Sequence, residues 1–562
     1  MSSTPLAALE RLRLEFGAQA VDAKLALLER LARTRLASAR AVRRLHEALC
    51  FMRAYPDNAA VLAQVQAMLA RFAKRADLRA HRAALADSGI AGTVIRYRFF
   101  AGQALWLAER WPEHLRLDRG ATEAQARIAR ALPPLLTPSE AQALAELRLP
   151  GFAALDRLRG TQQTDAVFLL RRIAAMPGNG FTREAYSDTV DASFVLAPGP
   201  DTPSRTAAHF AAAAVVFRCR PPPRVRPDLR AEMARAPRSM RRMSLHAGET
   251  LIDLARAAMV TRERSLEAFS FADARDAWLV DDGDGLAFAF TGVIPPRRHA
   301  VASLYGSLTL RNGVPIGYAQ ADIVGRSAAL SFNTFDTFRG GEAAFTFARW
   351  LAALQHLFGS TSFSIEPYQL GQDNDEAIES GAWWFYAKLG FAPRDAAIRG
   401  VARVERLRVQ RMPGHRTSPA TLRLLAERHL FFDLLAAQPQ PLVTLGALGL
   451  RAGAALSARA GSSRERAVDE ASAELMRHCG LVSLRGFSAD QREAWRRLAP
   501  ILALLGVGTW RADACQALVD VIRAKGGRSE RDYIARYLAH PLLHAALAQR
   551  AIRQQRIAAK AA

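Results

Sequence analysis

The sequence predicts an α+β protein, with mostly helical flanking domains around a central mixed β-sheet that carries helices on both faces. Near the start, Leu6, Leu9 and Leu12 recur at the spacing of an amphipathic helix. From about Asp276 the pattern changes to short segments rich in aromatic and β-branched residues, which is typical of strands. After Pro419 the helical spacing returns. The expected domains are 1–180 (helical), 181–245 (an irregular Pro- and Arg-rich connector with a possible strand), 246–412 (the sheet) and 413–562 (helical).

The composition is that of an ordinary globular chain with an excess of positive charge. Half of the 562 residues are hydrophobic, and 77 Lys+Arg against 53 Asp+Glu give a formal net charge of +24. Nearly all of the basic residues are arginines, spread along the chain rather than concentrated on one element with interleaved aromatic residues. A nucleic-acid partner therefore stays an open alternative with no specific motif behind it.

Cysteine usage and hydropathy favour a cytoplasmic protein without a membrane anchor. Cys50, Cys219, Cys479 and Cys515 are far apart and form no CxxC pair, so neither a disulfide framework nor a structural zinc site is expected. The longest apolar run, residues 498–507, is too short for a bilayer, which needs about 20 residues. The histidines form no HxH or HExxH motif, so no metal is expected.

The central region is expected to begin as an antiparallel meander over residues 276–335. Its strongest local signal is the pair Asn312-Gly313, because a type I′ hairpin turn needs positive φ at both central residues. The elements expected to follow are a helix over 342–358, a strand over 361–366, a helix over 375–389 and one or two strands within 391–411.

The turn TFRGGE between the meander and the first of these helices carries a possible anion site. Gly340 and Gly341 let the backbone approach a ligand closely. The amides at the helix N-terminus lie at the positive end of its dipole, and Arg339 adds a guanidinium group. Many such turns carry glycine for steric reasons alone, so both interpretations stay open.

The helix over 375–389 leads into the phrase Phe385-Tyr-Ala-Lys-Leu-Gly-Phe391. Asp373 or Asn374 is expected to cap it, and Gly390 to end it in the left-handed conformation. Tyr386 is one residue off the expected core stripe, so it could lie at the edge of a cleft and donate its phenolic proton to a leaving thiolate. The alternative is a buried tyrosine. The expected stripe is Ile378, Ala382, Phe385 and Leu389.

A meander, a glycine-containing turn that opens a helix, a strand, and then Asn-x11-Tyr-x-Lys-Leu-Gly-Phe together resemble the GNAT acyltransferase superfamily over roughly residues 276–412. The resemblance implies a pantetheine slot between the strand that ends near Phe335 and the strand over 362–366. It also implies that acetyl-CoA or another acyl-CoA is a substrate. The turn amides around Arg339, Gly340 and Gly341 would receive its pyrophosphate.

The resemblance also implies where acyl transfer would occur. Asn374 and Tyr386 would lie by the thioester, with Tyr386 as the general acid. Glu366 faces opposite to Phe363 and Ile365 along its strand, so its carboxylate could deprotonate the attacking amine, directly or through water.

One residue departs from the family's usual pyrophosphate loop, Arg/Gln-x-x-Gly-x-Gly/Ala. Glu342 occupies the fourth position from Arg339, where a carboxylate would repel a pyrophosphate. Either Glu342 turns away to cap the helix, or the fold no longer binds coenzyme A in the usual way.

Three functions are therefore open. The first is an acyl-CoA-dependent N-acyltransferase, acting on an unidentified small-molecule or peptide amine by direct transfer in a ternary complex. The second is a non-catalytic helical scaffold or regulator with a degenerate ligand-binding core. The third is a GNAT-fold transferase that uses another activated donor, such as aminoacyl-tRNA.

Overall fold

The computed structural model describes residues 4–211, 214–221, 226–340, 342–435 and 440–549. The N-terminal part is mostly helical and also contains three short strands. Its elements are α1 (Pro5–Leu12), α2 (Ala18–Arg33), α3 (Ala39–Ala54), α4 (Ala59–Ala70), α5 (Ala76–Ala80), β1 (Ile95–Tyr97), α6 (Ala101–Arg110), β2 (Leu115–Leu117), α7 (Ala124–Ala131), α8 (Pro138–Leu147), α9 (Gly151–Arg159), α10 (Asp165–Ala174), α11 (Gly180–Val190) and β3 (Phe194–Leu196).

The central part contains the remaining strands. Its elements are α12 (Leu229–Ala234), β4 (Ser239–Arg242), α13 (Leu245–Val260), α14 (Glu267–Ser270), β5 (Ala272–Gly283), β6 (Leu286–Val293), β7 (Ser303–Arg311), β8 (Val314–Val324), β9 (Ser327–Thr334), α15 (Ala343–Phe358), β10 (Ser362–Ile365), α16 (Pro367–Leu370), α17 (Asp375–Ser380), α18 (Ala382–Lys388), β11 (Ala392–Pro393), α19 (Ala396–Arg411), α20 (Pro419–Ala426) and β12 (Leu430–Asp433).

The C-terminal part is helical, as the sequence predicts. Its helices are α21 (Leu445–Ala460), α22 (Arg464–His478), α23 (Ala489–Leu504), α24 (Ala512–Lys525) and α25 (Glu530–Ala539). Among the described residues, no helix is both long enough and apolar enough to cross a membrane.

Several helices begin where the sequence supplies a cap. The Asn58 side chain accepts a hydrogen bond from the Val61 amide, at 2.9 Å, at the start of α4. At the start of α8, Thr137 and Glu140 form a reciprocal capping box. These side chains satisfy amides that have no acceptor inside the first helical turn.

The nine-stranded mixed sheet has the order β11-β12-β10-β9-β8-β7-β6-β5-β4. Strands β5 to β9 form the antiparallel meander that the sequence predicts. At its β7–β8 turn, Asn312 and Gly313 have φ of 47° and 76°, as a type I′ turn requires. Strand β10 then pairs parallel with β9 after a crossover through α15.

Helices cover both faces of this sheet. On one face, β6 to β10 pack against α12, α15, α18 and the C-terminal helices in a shared hydrophobic core. On the other, β5 to β8 pack against α13 and helices α1 to α4 in a second core. The protein is therefore a mixed α/β protein with helices around a large sheet.

Three sequence expectations about secondary structure are wrong. Residues 391–411 form only the two-residue strand β11, and the rest is α19, because Asp395 caps that helix and its Ile398 and Ala402 pack inward. The part after Pro419 is not purely helical, since β12 inserts between β10 and β11. The N-terminal region contains the antiparallel sheet β1-β3-β2.

The expected helix over 375–389 is broken at Gly381, which has φ of 68°. The break turns α18 relative to α17 and changes which side chains face the core. Trp383 and Tyr386 are buried there instead of Ala382 and Phe385, which are partly exposed.

The end of α18 follows the sequence closely. The amide of Gly390 bonds to the Ala387 carbonyl and that of Phe391 to the Tyr386 carbonyl, both at 3.2 Å. With Gly390 at φ of 99°, this is a Schellman motif. The phrase that carries the family resemblance is therefore a helix-ending device.

Candidate functional site

One part of the sheet is open to solvent and polar. It lies on the face opposite α15, where β8 and β9 present alternate residues. Buried apolar residues between them, such as Ala321 and Leu330, face α15. The partly exposed side chains are Tyr318, Gln320 and Asp322 on β8 and Ala329, Ser331 and Asn333 on β9.

Two strands part beside this face, and the gap between them is called the slot below. The pairing of β9 with β10 ends at the Leu330–Ile365 pair. Strand β9 continues to Thr334, bonded only to β8 on its other side. The last four residues of β9 therefore have no β10 partner and are partly exposed. The family resemblance implies a pantetheine slot between the same two strands.

Asp322 lies at the closed end of the slot, directly opposite Ala329 of β9. Although 31% of its side chain is exposed, burial raises the pKa of its carboxyl to about 6. His299 (3.9 Å) and the amide of Gln320 (3.3 Å) oppose that rise. The negative charges of Glu366 and Glu267 add to it. A carboxyl that titrates near neutrality can exchange protons with a substrate.

The opposite end of the slot is rich in arginine. Arg339 donates to Glu376 at 3.1 Å and pairs with Asp336 at 2.9 Å. Arg264 reaches the same Glu376 carboxylate at 3.4 Å and the Tyr318 hydroxyl at 3.3 Å. Burial would raise the pKa of the Glu376 carboxyl, but the hydrogen bond from Arg339 and the charge of Arg264 lower it.

The turn TFRGGE is partly committed to internal bonds. The Arg339 amide donates to the Asp336 carbonyl at 3.2 Å, and the Ala343 amide to the Gly340 carbonyl at 3.3 Å. For the Gly340 amide the structure records no acceptor among the described residues. Gly340 is exposed, and a Cβ placed on it would meet open space. Gly341 lies outside the described residues.

Glu342 turns away from this turn and into the protein. It is the N-cap residue of α15, but its side chain makes no capping bond. Its carboxylate instead pairs with Arg311, at 3.0 Å, and with Arg218. Both guanidinium groups also lie over the ring of Tyr55. The charge that would repel a pyrophosphate is therefore neutralised inside the fold.

Tyr386 does not lie at the exposed edge that its position off the expected stripe implies. Only 3% of it is exposed, and its ring packs against Phe347, Phe385 and Phe391. Burial raises its pKa, so the phenol keeps its proton. Phe347 in turn contacts Phe332 in the unpaired part of β9. The ring of Phe347 therefore lies between Tyr386 and this part of β9.

The other residues predicted for the site have separate surroundings. Glu366 is exposed at the end of β10. Asn374 caps α17, accepting from the Ala377 amide, and donates to the Tyr368 carbonyl, both at 3.1 Å. Phe335 is buried beneath the guanidinium group of Arg262, 3.6 Å from the ring centre.

The sequence reasoning missed Asp322, Glu267, His299 and Arg264. A local signal exists for Asp322 alone: in VPIGYAQADIV, polar residues alternate with apolar ones, so Asp322 falls on the polar face with Gln320. The other three reach the site from separate loops and helices.

Comparison of the chain with protein-family models, with curated proteins and with solved structures found no match. Within the described ranges, no group of three or more His, Cys, Asp or Glu side chains could hold a metal ion.

Proposed function

We propose that the chain is an acyl-CoA-dependent N-acyltransferase that transfers the acyl group directly to an amine. The observation that carries the proposal is the Asp322 carboxyl, with a pKa of about 6, at the closed end of an open slot between β9 and β10. The element order on which the GNAT resemblance rests, including the parallel β9–β10 pair joined by α15, supports it.

The distribution of charge along the slot suits such a substrate. The acidic end holds Asp322 and Glu366, which favour a cationic amine, and the other end holds Arg264 and Arg339, which favour phosphate. The five residue-to-residue steps from Ala329 to Thr334 separate these ends by about 17 Å of extended strand. A thioester arm laid along β9 would therefore bring its reactive end to Asp322.

In the proposed reaction, the Asp322 carboxylate accepts a proton from the amine, directly or through water. The amine nitrogen bonds to the thioester carbonyl carbon, and the carbon–sulfur bond then breaks. The departing thiolate takes a proton from water in the slot, because the buried Tyr386 is separated from the slot by the ring of Phe347. Glu366 holds the positive charge of the acceptor.

The test combines acetyl-CoA with spermidine or a lysine-containing peptide and measures released thiol and acetylated product. Asp322→Asn is expected to lower turnover by about 10²- to 10⁴-fold while acetyl-CoA affinity stays unchanged. Asp520→Asn, a substitution of a half-exposed carboxylate on α24, is the control and should leave turnover unchanged. Equal turnover in wild type and Asp322→Asn would remove Asp322 from the base role.

A second candidate, a non-catalytic ligand-binding core, is favoured by the internal pairing of Arg339 with Glu376 and Asp336. A thermal shift with acetyl-CoA separates the two. Ligand at about 100 times its dissociation constant stabilises a protein by about 2.7 kcal/mol. No shift at millimolar acetyl-CoA would contradict the transferase and leave the second candidate.

A further inference from the structure

Three arginines meet at a small cavity on the far side of the β9–α15 turn. Arg53 comes from α3, Arg205 from the loop after β3, and Arg262 from the segment after α13. The cavity measures about 10 Å³, and Thr337 of the turn also lines it. Its lining includes neither Asp322 and Glu366 nor Arg264 and Arg339 of the slot.

In the part of the chain that the structure describes, these guanidinium groups form no ion pair with a carboxylate. Two of the most buried arginines elsewhere pair with carboxylates, Arg311 with Glu342 (3.0 Å) and Arg349 with Asp282 (2.6 Å), whereas Arg256 donates to the backbone carbonyls of Phe269 and Ser270. Among the described residues, the recorded acceptors of Arg53, Arg205 and Arg262 are backbone carbonyls and one threonine hydroxyl. These bonds are Arg53 to Arg205, Thr206 and Ala208, Arg205 to Thr261, and Arg262 to Ala258 and the Thr261 hydroxyl.

The carboxylates whose charges act on Arg205 are Glu47 and Asp336, and each of them pairs with another arginine. Glu47 pairs with Arg43 at 3.0 Å, and Asp336 pairs with Arg339 at 2.9 Å. Arg53 is 7% exposed, and its Nε atom is buried without an acceptor.

Among the described residues, no carboxylate lines the cavity, although the charges of Glu47 and Asp336 act on Arg205 from outside it. Burial raises the pKa of the Cys50 thiol, which therefore stays protonated. Burial and the three arginines hold the pKa of His46 well below its ordinary value, so its ring is neutral. Burial, and then the charge of Arg205, hold the pKa of Arg262 well below the ordinary arginine value. Uncompensated like charges at partly buried positions are costly unless an anion joins them.

We propose that Arg53, Arg205 and Arg262 form a binding site for a phosphate-class oxyanion. This inference goes beyond the proposed transferase activity. The cavity holds about one water-sized sphere, so one oxygen of the ion enters it and the other oxygens stay at its opening. Guanidinium groups suit this ligand, because their planar N–H forks match phosphate oxygens.

The first experiment measures inorganic phosphate binding by calorimetry, at constant ionic strength in potassium gluconate. Arg205→Gln is expected to weaken binding by about 10- to 100-fold, the loss that follows from removing one charge-assisted hydrogen bond. Arg403→Gln, an exposed arginine on α19, removes the same charge and should leave the dissociation constant unchanged. Three results would overturn the proposal. They are an equal loss of phosphate affinity in both variants, no phosphate binding to wild type, or binding of chloride as tight as that of phosphate.

The second experiment measures folding without the anion. In phosphate-free buffer Arg205→Gln relieves repulsion, so its midpoint of thermal unfolding should equal or exceed that of wild type. An unfolded variant, or one with a lower midpoint, would contradict the proposal, because Arg205 would then stabilise the fold without a ligand.

A third experiment identifies the source of the phosphate, with adenosine 3′,5′-bisphosphate as the nucleotide probe. If Arg205→Gln weakens the binding of both inorganic phosphate and the bisphosphate, the site takes a phosphate carried by a nucleotide. If it weakens inorganic phosphate alone, the site takes the free ion. Either result supports the site, and neither depends on whether acetyl-CoA is turned over.

Discussion

The Arg311 Nη2 atom lies 3.0 Å from the Glu342 Oε2 atom, and both side chains are buried. Arg311 ends β7 and Glu342 precedes α15, so this ion pair joins the meander to the helix that follows the glycine turn. Arg218 from the connector binds the same carboxylate. The pair therefore gives Glu342 a structural role beside the turn.

Replacing Glu342 by glutamine should destabilise the protein strongly, because it leaves Arg311 buried without a carboxylate. The expected loss in the free energy of unfolding is about 3–5 kcal/mol, measured by urea denaturation. Glu29→Gln, in an exposed pair with Arg33, is the matched control and should change it by less than about 1 kcal/mol. A loss below 1 kcal/mol for Glu342→Gln would contradict a role for the pair in stability.

The Asp322 carboxyl should make stability depend on pH. Its pKa in the folded protein is about 6, against an ordinary value of 3.8, so the charged form is disfavoured in the native state. The stability contributed by the protonated form is present below about pH 4 and is lost as pH rises through about 6.

Asp322→Asn removes this dependence. The variant should exceed wild type in free energy of unfolding by about 1–2 kcal/mol at pH 8, after allowance for solvent screening of a partly exposed group, and match it at pH 4. Denaturation curves at both pH values test this. A constant difference between the two proteins would show that the charge of Asp322 is not the cause.

The Schellman motif at the end of α18 predicts opposite effects for two glycine-to-alanine changes. Gly390→Ala should cost about 1–2 kcal/mol, because Gly390 has φ of 99° and a side chain is strained there. Nearby atoms are no obstacle, since the added Cβ would meet the Phe432 ring at an ordinary 3.8 Å.

Gly400→Ala serves as the matched control. It lies inside α19 with open space around it, so the change should stabilise the protein by up to about 1 kcal/mol. Thermal unfolding of both variants measures the sign of each stability change relative to wild type. The same sign for both would be inconsistent with the conformational explanation.

Asp276 should control how the C-terminal helices attach to the sheet. Its buried carboxylate accepts bonds from the Ser529 hydroxyl (2.5 Å), the Glu530 amide (2.9 Å), the Tyr305 hydroxyl (2.7 Å) and the Trp278 indole (3.0 Å). Asp276→Ala leaves these donors unpaired and should cost at least about 3 kcal/mol.

Hydrogen exchange locates the effect of Asp276→Ala. Relative to wild type, the substitution should accelerate exchange of the α25 amides more than that of the α2 amides, since α2 lies in the other core. Asp532→Asn, an exposed change on α25 itself, should leave exchange nearly unchanged. Equal acceleration in α2 and α25 would mean that Asp276 supports the whole fold rather than this attachment.

Local chemistry made part of the fold predictable. The Asn312-Gly313 turn and the Asn58 cap depend on neighbours within a few residues, so the sequence indicates them correctly. The course of α19 was not predictable, because its Val401 and Val404 also suit a strand. Strand β12 was missed because its four residues gain partners only from β10 and β11.

The candidate site divides in the same way. The glycines after β9 predict an open turn, whereas the polar face of β8 was missed although its residues alternate. The burial of Tyr386 was not foreseen, because the break at Gly381 turns α18 toward the core. The raised pKa of Asp322 depends partly on Glu366 and Glu267, which lie far from it in the chain.

By itself the sequence determined the periodic elements, their caps and the hairpin turn, since these follow from backbone geometry over a few residues. Tertiary structure alone decided which charges meet. It paired Glu342 with Arg311 rather than leaving it at the turn, and it brought Arg53, Arg205 and Arg262 together at one cavity. The physical reason is that the energy of a charge depends on neighbours and burial, which packing between distant segments creates.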